Sequence, residues 1–358
     1  MCIDQHQARE DQRKRIDALA DEAIRTGVTH GAEGAELGKQ VIALSTSGLF
    51  ADEPYVLGKA RGLRAVFESL APIGRHAEAI QAASELLNWI KEHPEIESYT
   101  TYALAVLGHV AIFMGETKRA LDYLAKATPM AEEAGDDQHH ALCLELIGIT
   151  HTESGNANKG IPFLRRALIL RRRVGDPIGI AYSLNNIAMA EINRGHPEIA
   201  VEYAQDCGAV IREHGIPVLL SPMLDTLAQA HIGLGNREQA IAYLEQARAA
   251  ASEEEDPMGS GVAQLSLGRL LCEEDETRHE GLDHLRRAMG IFERSEALPY
   301  LAACHLEISK ALENEGNLPA AMEHLKIHHK LELRLSEERA DQRVEVLQVM
   351  HENPVRSD

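Results

Sequence analysis

Apolar residues recur every three or four positions through most of the chain, in segments separated by short polar turns. This spacing predicts helices with one apolar face, because residues three and four apart lie on the same side of a helix. Glycine marks the turns about every 40 residues, and it tolerates the left-handed conformation that ends a helix. The pattern therefore predicts a repeated helix–turn–helix unit. The turn glycines are Gly74, Gly115, Gly155, Gly195, Gly235 and Gly316, and Asp275 fills the remaining place.

Small and large side chains occupy fixed places within each unit. A small residue such as Gly108 or Gly268 stands seven positions before the turn and directly follows a bulky aliphatic residue. A second small residue follows the turn, and in most units a leucine such as Leu124 or Leu285 comes four positions later. Small residues let two helices approach closely, and large ones fill the space beside them. We therefore expect the two helices of each unit to pack against each other.

Prolines between the units repeat the same period, as at Pro177, Pro217 and Pro257, and a helix interior excludes proline. Residues 10–26 and 33–47 are predicted to form a degenerate first pair that caps the array. The last helix is predicted to run unusually far, from Pro319 to about His351. The other pairs are expected near 58–92, 101–134, 141–174, 181–213, 221–253, 261–295 and 302–350.

The order of small and large positions, with Leu-Gly or Ile-Ala in the first helix and Ala-x3-Leu-x2-Ala in the second, resembles the tetratricopeptide repeat (TPR). The resemblance covers roughly residues 60–335, and the period of 40 is that of the long variant found in kinesin light chains and bacterial signalling proteins. It implies an all-α fold, a right-handed superhelical solenoid of seven to eight helix pairs. The usual aromatic residue of the first helix is missing here, as at Ala111 and Glu191. The expected organisation is a cap over 1–57, the array over 58–335, and a C-terminal extension over 336–358.

Charge and composition restrict the classes of molecule that the protein is expected to bind and the compartment in which it is expected to work. The net charge is −20, which disfavours nucleic acid and anionic membranes, and no apolar run approaches the roughly 20 residues of a membrane-spanning helix. Five scattered cysteines without a CxxC pair indicate a reducing compartment, and the N-terminus has no apolar stretch of signal-peptide type. These features predict a cytoplasmic protein.

Motifs for catalysis or cofactor binding are missing from the sequence. There is no phosphate-binding glycine loop and no HExxH, so we expect neither an enzyme nor a cofactor. Cys143, Cys207 and Cys304 fall at small inward positions and are predicted to be core residues. His324 and His328 have the spacing of metal ligands but lack a visible third partner, so no metal site is predicted. His139 and His140 lie beside a turn and are expected to face solvent.

The resemblance places a concave binding surface along the first helices. Its side chains mix aromatic, amide, charged and apolar groups, which suits an extended peptide because amides can pair with its main chain. In the long variant the first Asn of an LNNLA motif commonly contacts a bound peptide, so Asn185 of SLNNIA is assigned that role by resemblance. The candidate binding residues are Arg61, Arg64, Tyr102, His109, Glu145, Tyr182, Asn185, Met189, Asp225, Gln229, Arg269 and Lys310.

The C-terminal segment resembles the helix that follows TPR regions in bacterial sensors, before a diguanylate cyclase, nucleotidyl cyclase or histidine kinase domain. In those proteins this helix commonly pairs as a coiled coil, and here Ile327, Leu331 and Leu335 give a broken apolar seam. Two functions stay open. The first is a non-catalytic adaptor that binds a protein or peptide segment, with a possible homodimer through this helix. The second is a ligand-sensing module that signals through the helix.

Overall fold

The computed structural model describes residues 2–71, 74–251 and 256–352, and their regular structure is helical. It describes the backbone alone at residues 2–5, 28, 29, 218 and 345–352. The chain divides into two compact units, which are residues up to 150 together with those from 340 onward, and residues 151–339. The prediction of an all-α fold of helix pairs is confirmed. None of the described helices is long and apolar enough to cross a membrane.

The first unit begins with a helix pair that is longer than predicted, and buried Ile16, Val41 and Phe50 pack together beneath it. Two short 3-10 segments, Gly48–Phe50 and Pro94–Tyr99, precede the next first helices. The helices of this unit are α1 (Cys2–Thr29), α2 (Gly31–Thr46), α3 (Val56–Leu70), α4 (His76–Glu92), α5 (Thr100–Phe113) and α6 (Thr117–Glu133), followed by most of α7 (Asp137–Glu153).

The second unit begins with the second helix of one pair and continues with four complete helix pairs. Its last helix is 35 residues long, which confirms the predicted long final helix. The residues of this helix from 340 onward belong to the first unit. The tail after Glu352, part of the predicted C-terminal extension, lies outside the described residues. The helices are α8 (Ala157–Val174), α9 (Pro177–Arg194), α10 (Pro197–His214), α11 (Leu220–Gly233), α12 (Arg237–Ala250), α13 (Pro257–Leu271), α14 (Arg278–Arg294), α15 (Leu298–Asn314) and α16 (Leu318–Glu352).

The turns follow the glycine pattern with one exception. All six predicted turn glycines have positive φ. At the Gly115 turn, the amides of Gly115 and Glu116 donate to the carbonyl oxygens of Ile112 and Ala111, at 2.8 Å each. Asp275 does not take the left-handed conformation, so its assignment as a glycine substitute was wrong. Because α13 ends at Leu271 and α14 begins at Arg278, a longer turn replaces the tight one, and Arg278 pairs with Asp275 across it.

Close helix packing within pairs explains the small positions. A Cβ added at Gly108 would lie 2.7 Å from Leu124 Cγ, and one at Gly268 would lie 2.8 Å from Leu285 Cγ. Both leucines are fully buried, so each glycine provides the space that its partner leucine fills. Cys143, Cys207 and Cys304 are likewise buried, which confirms that they are core residues, and burial raises their pKa values to about 12, 11 and 12.

Candidate functional site

The twelve predicted binding residues all lie on the first helix of a pair. In the first unit α3 carries Arg61 and Arg64, α5 carries Tyr102 and His109, and α7 carries Glu145. In the second unit the predicted residues are Tyr182, Asn185 and Met189 on α9, Asp225 and Gln229 on α11, Arg269 on α13 and Lys310 on α15. Each unit therefore offers its own candidate surface.

A cavity of about 440 Å³ opens between the first helices of the second unit. Four of the predicted residues line it together, namely Asn185, Met189, Asp225 and Gln229. A cavity of this size accommodates one or a few side chains of a ligand. The other lining residues are Ser221, Pro222, Thr226, Asp256, Met258, Gly259, Val262, Ala263 and Tyr300.

Two oxygen atoms of the cavity residues lack hydrogen-bond partners. Asn185 Oδ1 and Asp225 Oδ1 are buried and accept no hydrogen bond within the described part of the chain. The other carboxylate oxygen of Asp225 accepts from Gln229 Nε2 at 2.6 Å. A buried acceptor left unpaired costs about 1–3 kcal/mol, so such atoms are concentrated where a ligand or water completes them. The arrangement is suited to receive hydrogen-bond donors.

The remaining three predicted residues of this unit do not line the cavity. Tyr182 is 48% exposed on α9, and Arg269 is exposed on α13. Lys310 is exposed and donates to Glu307 one turn earlier at 2.8 Å. The structure therefore gathers the central four of the seven residues around one space and leaves the others on the open surface.

The first unit holds a polar network that connects α3, α5 and the start of α7. The Arg64 guanidinium lies 3.9 Å from the centre of the Tyr102 ring and donates to Glu68 Oε1 at 2.9 Å. The Tyr102 hydroxyl donates to Asp136 Oδ2 at 3.0 Å, and His139 Nδ1 lies 2.9 Å from the same oxygen. His139 Nε2 lies 3.5 Å from Glu68 Oε1, which closes the network. These contacts occupy Arg64 and Tyr102 with partners from their own unit.

Burial and charge shift the pKa values in this network. Burial lowers the pKa of His139, but hydrogen bonds to Asp136 and Glu68 outweigh it, so the net pKa is raised. Burial raises the pKa of Asp136, yet its contacts with His139 and Tyr102 hold the net pKa well below its usual range. Burial also raises the pKa of Tyr102 to about 12. The network therefore favours a charged histidine between two carboxylates.

The other predicted residues of the first unit also have local roles. Arg61 pairs with Asp17 at 3.2 Å and with Asp21, both on α1. Burial lowers the pKa of His109, and Glu145 is only 6% exposed. The sequence offered no means to distinguish these paired or buried positions from ligand-binding ones.

The predicted exposure of one pair of histidines was wrong. His139 and His140 were expected to face solvent, but both are buried, and His139 is a central member of the network. It is the third residue of α7, and Asp136 just before that helix accepts the His139 backbone amide at 3.1 Å. The local turn therefore directs His139 inward.

Histidines at the end of the second unit pair with each other. His305 Nδ1 and His324 Nδ1 lie 3.0 Å apart, and His328 Nδ1 lies 3.0 Å from the Ala302 carbonyl oxygen. No group of three or more metal-ligating side chains stands together among the residues the structure describes. A metal site involving His324 and His328 has no support from these contacts.

Comparison with known proteins agrees with this architecture. Sequence models of the tetratricopeptide repeat match residues 180–214 and 221–249, which carry most of the cavity residues. No curated protein matches the chain in sequence.

Solved structures share the fold over most of the chain. A Rap protein complexed with Competence and Sporulation Factor has a TM-score of 0.62 at 13% identity, covering 95% of this chain and 99% of that one. The apo quorum sensor NprR from B. thuringiensis has a TM-score of 0.57 at 14% identity, covering 90% and 99%. The Rap conjugation gene regulator of plasmid pLS20 with the Phr* peptide has a TM-score of 0.57 at 14% identity, covering 90% and 96%. The likeness extends to the α-solenoid fold and no further.

Proposed function

We propose that this chain, which matches tetratricopeptide repeat models over residues 180–214 and 221–249, binds a peptide or protein segment along the first helices of its second unit without catalysing a reaction. The observation that carries the proposal is the cavity of about 440 Å³ whose lining includes two buried oxygens without donors, on Asn185 and Asp225. An extended peptide supplies main-chain N–H donors at regular intervals, which such acceptors can receive.

The fold neighbours support the same class of function. Two of the three structures contain a bound molecule, the Phr* peptide in one and the Competence and Sporulation Factor in the other. Asn185 holds the place that the resemblance assigned to peptide contact, and it lines the cavity with Met189 and Gln229. The four described cysteines are free and buried, which suits our proposal that the protein works in the cytoplasm.

The test uses the full chain and a random library of acetylated and amidated heptapeptides. We expect Tyr182→Ala combined with Asn185→Ala to weaken binding of library-selected peptides about tenfold or more, since each lost hydrogen bond is worth about 0.5–1.5 kcal/mol. The matched control is Glu202→Ala combined with Asp206→Ala, two exposed positions on α10. Fluorescence anisotropy measures affinity, and circular dichroism measures folding.

Three results are informative. Weaker binding with a native circular dichroism spectrum supports the proposed site. Equal affinity of the double variant and the wild type contradicts it. Loss of helix in the double variant would assign Tyr182 and Asn185 a structural role instead.

A second candidate is a sensor in which ligand binding redirects the C-terminal helix. It is favoured by the length of α16, which continues to Glu352, and by the contact at 3.0 Å from Arg343 Nη2 to Glu116 Oε1 in the first unit. Small-angle scattering of the full chain with and without a selected peptide separates the two functions. A sensor requires a change in the scattering curve on binding, whereas a scaffold does not.

A further inference from the structure

The cavity of the second unit is lined by charge of one sign. Its charged lining residues are Asp225 and Asp256, and no Lys, Arg or His is among the described residues that surround it. The remaining polar side chains of the lining carry hydroxyls or amides, and they are Ser221, Thr226, Tyr300, Asn185 and Gln229. Two carboxylates with no cation beside them give the space a negative potential, which attracts a positively charged group.

Asp225 is the cavity carboxylate that keeps one buried oxygen unpaired within the described part of the chain. Its only partner in the described part of the chain is the neutral amide of Gln229, which donates to Oδ2, while Oδ1 is buried and unpaired. Buried Glu191 of the same unit, by contrast, pairs with Arg165 at 3.1 Å and Arg194 at 3.5 Å. A partly buried carboxylate without a counter-charge is unfavourable, so Asp225 stands ready for a cation from outside the chain.

The walls of the cavity fit a cation on an aliphatic stem. Met189, Met258 and Val262 provide flexible or branched apolar surface, and Tyr300 provides an aromatic ring that is 40% exposed. Lysine and arginine side chains bury their methylene stems against apolar surface while the charged end reaches a polar partner. An aromatic ring nearby adds attraction for the same charge.

We propose that this cavity selects a lysine or arginine side chain of the bound peptide, held by an ion pair with Asp225. The inference rests on the proposed function, since it specifies the ligand of the same site. The Asp256 carboxylate already accepts the Gly259 amide at 2.8 Å, so it contributes to the field while Asp225 makes the direct contact. The net charge of −20 favours the approach of basic peptides in general.

The experiment screens the labelled full-length protein against a random heptapeptide library with acetylated and amidated ends. Peptides retained by the wild type are expected to contain lysine or arginine several-fold more often than the library does. For one retained peptide, replacing the key lysine by norleucine, or an arginine by citrulline, removes the charge and keeps the stem. This replacement is expected to weaken binding to the wild type at least tenfold, measured in 50 mM salt.

Variants of the protein assign the effect to one carboxylate. Asp225→Asn is expected to weaken binding of the charged peptide at least tenfold, and to weaken binding of the uncharged peptide by a much smaller factor, because Asn keeps an acceptor oxygen but loses the charge. Asp206→Asn, an exposed position on α10, is the matched control and is expected to change neither affinity. Because Asn has the shape of Asp, circular dichroism should report the same helix content for all three proteins.

The outcomes separate this inference from the function on which it rests. If peptides are retained with no enrichment of basic residues, the inference fails and the proposed function stands. If the library with free amino termini is retained and the acetylated one is not, the cation is the peptide terminus, and the assignment to a side chain is overturned. If neither library is retained, the proposed function fails, and the inference that rests on it fails as well.

Discussion

Gly281 lies where α13 and α14 approach each other closely, so a substitution there tests whether this contact requires a residue without a side chain. A Cβ at Gly281 would lie 2.8 Å from the Gly268 carbonyl oxygen and 2.8 Å from the Cys272 backbone nitrogen. Both are backbone atoms, which cannot move aside by rotating a side chain. Gly281→Ala therefore forces the two helices apart.

Two opposing effects set the change in the free energy of unfolding that Gly281→Ala causes. Alanine in place of glycine inside a helix stabilises it by about 1 kcal/mol. Overpacking a tight contact costs about 1–3 kcal/mol, and we expect a value near the top of this range because the contact is with backbone. The net effect of Gly281→Ala is therefore a destabilisation of about 1–2 kcal/mol.

Gly290 of the same helix is the matched control. The nearest atom to a Cβ there is Arg294 Nη1, at 3.7 Å, which is ordinary contact with a flexible side chain. Gly290→Ala is therefore expected to stabilise the protein by about 0.5–1 kcal/mol, since only the gain in helix propensity remains. The same substitution in one helix should thus act with opposite signs at the two positions.

Urea unfolding followed by circular dichroism at 222 nm measures both variants. Repeat arrays can unfold in stages, so amide hydrogen exchange of α13 and α14 provides a local measure of the same change. The midpoint should fall for Gly281→Ala and rise for Gly290→Ala. A Gly281→Ala protein as stable as Gly290→Ala would refute the reasoning that this glycine exists to admit backbone contact.

Two further predictions concern the first unit and the C-terminal helix. Because folding raises the pKa of His139, the charged histidine stabilises the fold fully below its unfolded pKa of about 6.5, and this stabilisation is lost as pH rises through the pKa of the folded protein. Folding lowers the pKa values of Asp136 and Glu68, so these carboxylates stabilise the fold above about pH 4. His139→Gln should therefore destabilise more at pH 6 than at pH 8 in urea unfolding, and an equal loss at both would contradict the assigned charge. Removing residues 336–358 should change the oligomeric state more than the melting temperature, because Leu335 is the last described residue of α16 that is buried. An unchanged mass in light scattering would count against pairing through this helix.

The repeat period made most of the fold predictable from the sequence. Small residues such as Gly108 and Gly268 recur because the same close contact recurs in each pair, so one physical requirement leaves several marks along the chain. Asp275 was misjudged because a single departure from a repeat has no second copy to explain it. There the structure shows a longer turn, which the sequence could not distinguish from a tight turn with a substituted residue.

The site was predictable only in part, for a related reason. Repeat geometry identified the helix face that carries Asn185 and Asp225, but the partners of each residue decide whether it stays available to a ligand. Arg64 is paired with Glu68 of its own helix, and Tyr102 is bonded to Asp136 from a later turn. The sequence contains one further signal, which points to a cavity residue. The segments Asp176–Gly179 and Asp256–Gly259 share an Asp-Pro-x-Gly pattern, and in each the Asp accepts the Gly amide at the start of a first helix. This pattern could have placed Asp256 at the cavity.

The surroundings of two carboxylates are the reason that we place the proposed binding site in the second unit. Asp136 of the first unit is bonded to Tyr102 and His139, so its charge is already compensated and a ligand would have to displace these contacts. Among the residues that the structure describes, Asp225 of the second unit has only an amide partner and keeps one buried oxygen without a donor. Since a ligand gains most where the free protein leaves polar groups unpaired, binding energy is available at Asp225 and has been used for folding at Asp136. Under the proposed function, polar groups along the first helices serve stability in the first unit and recognition in the second.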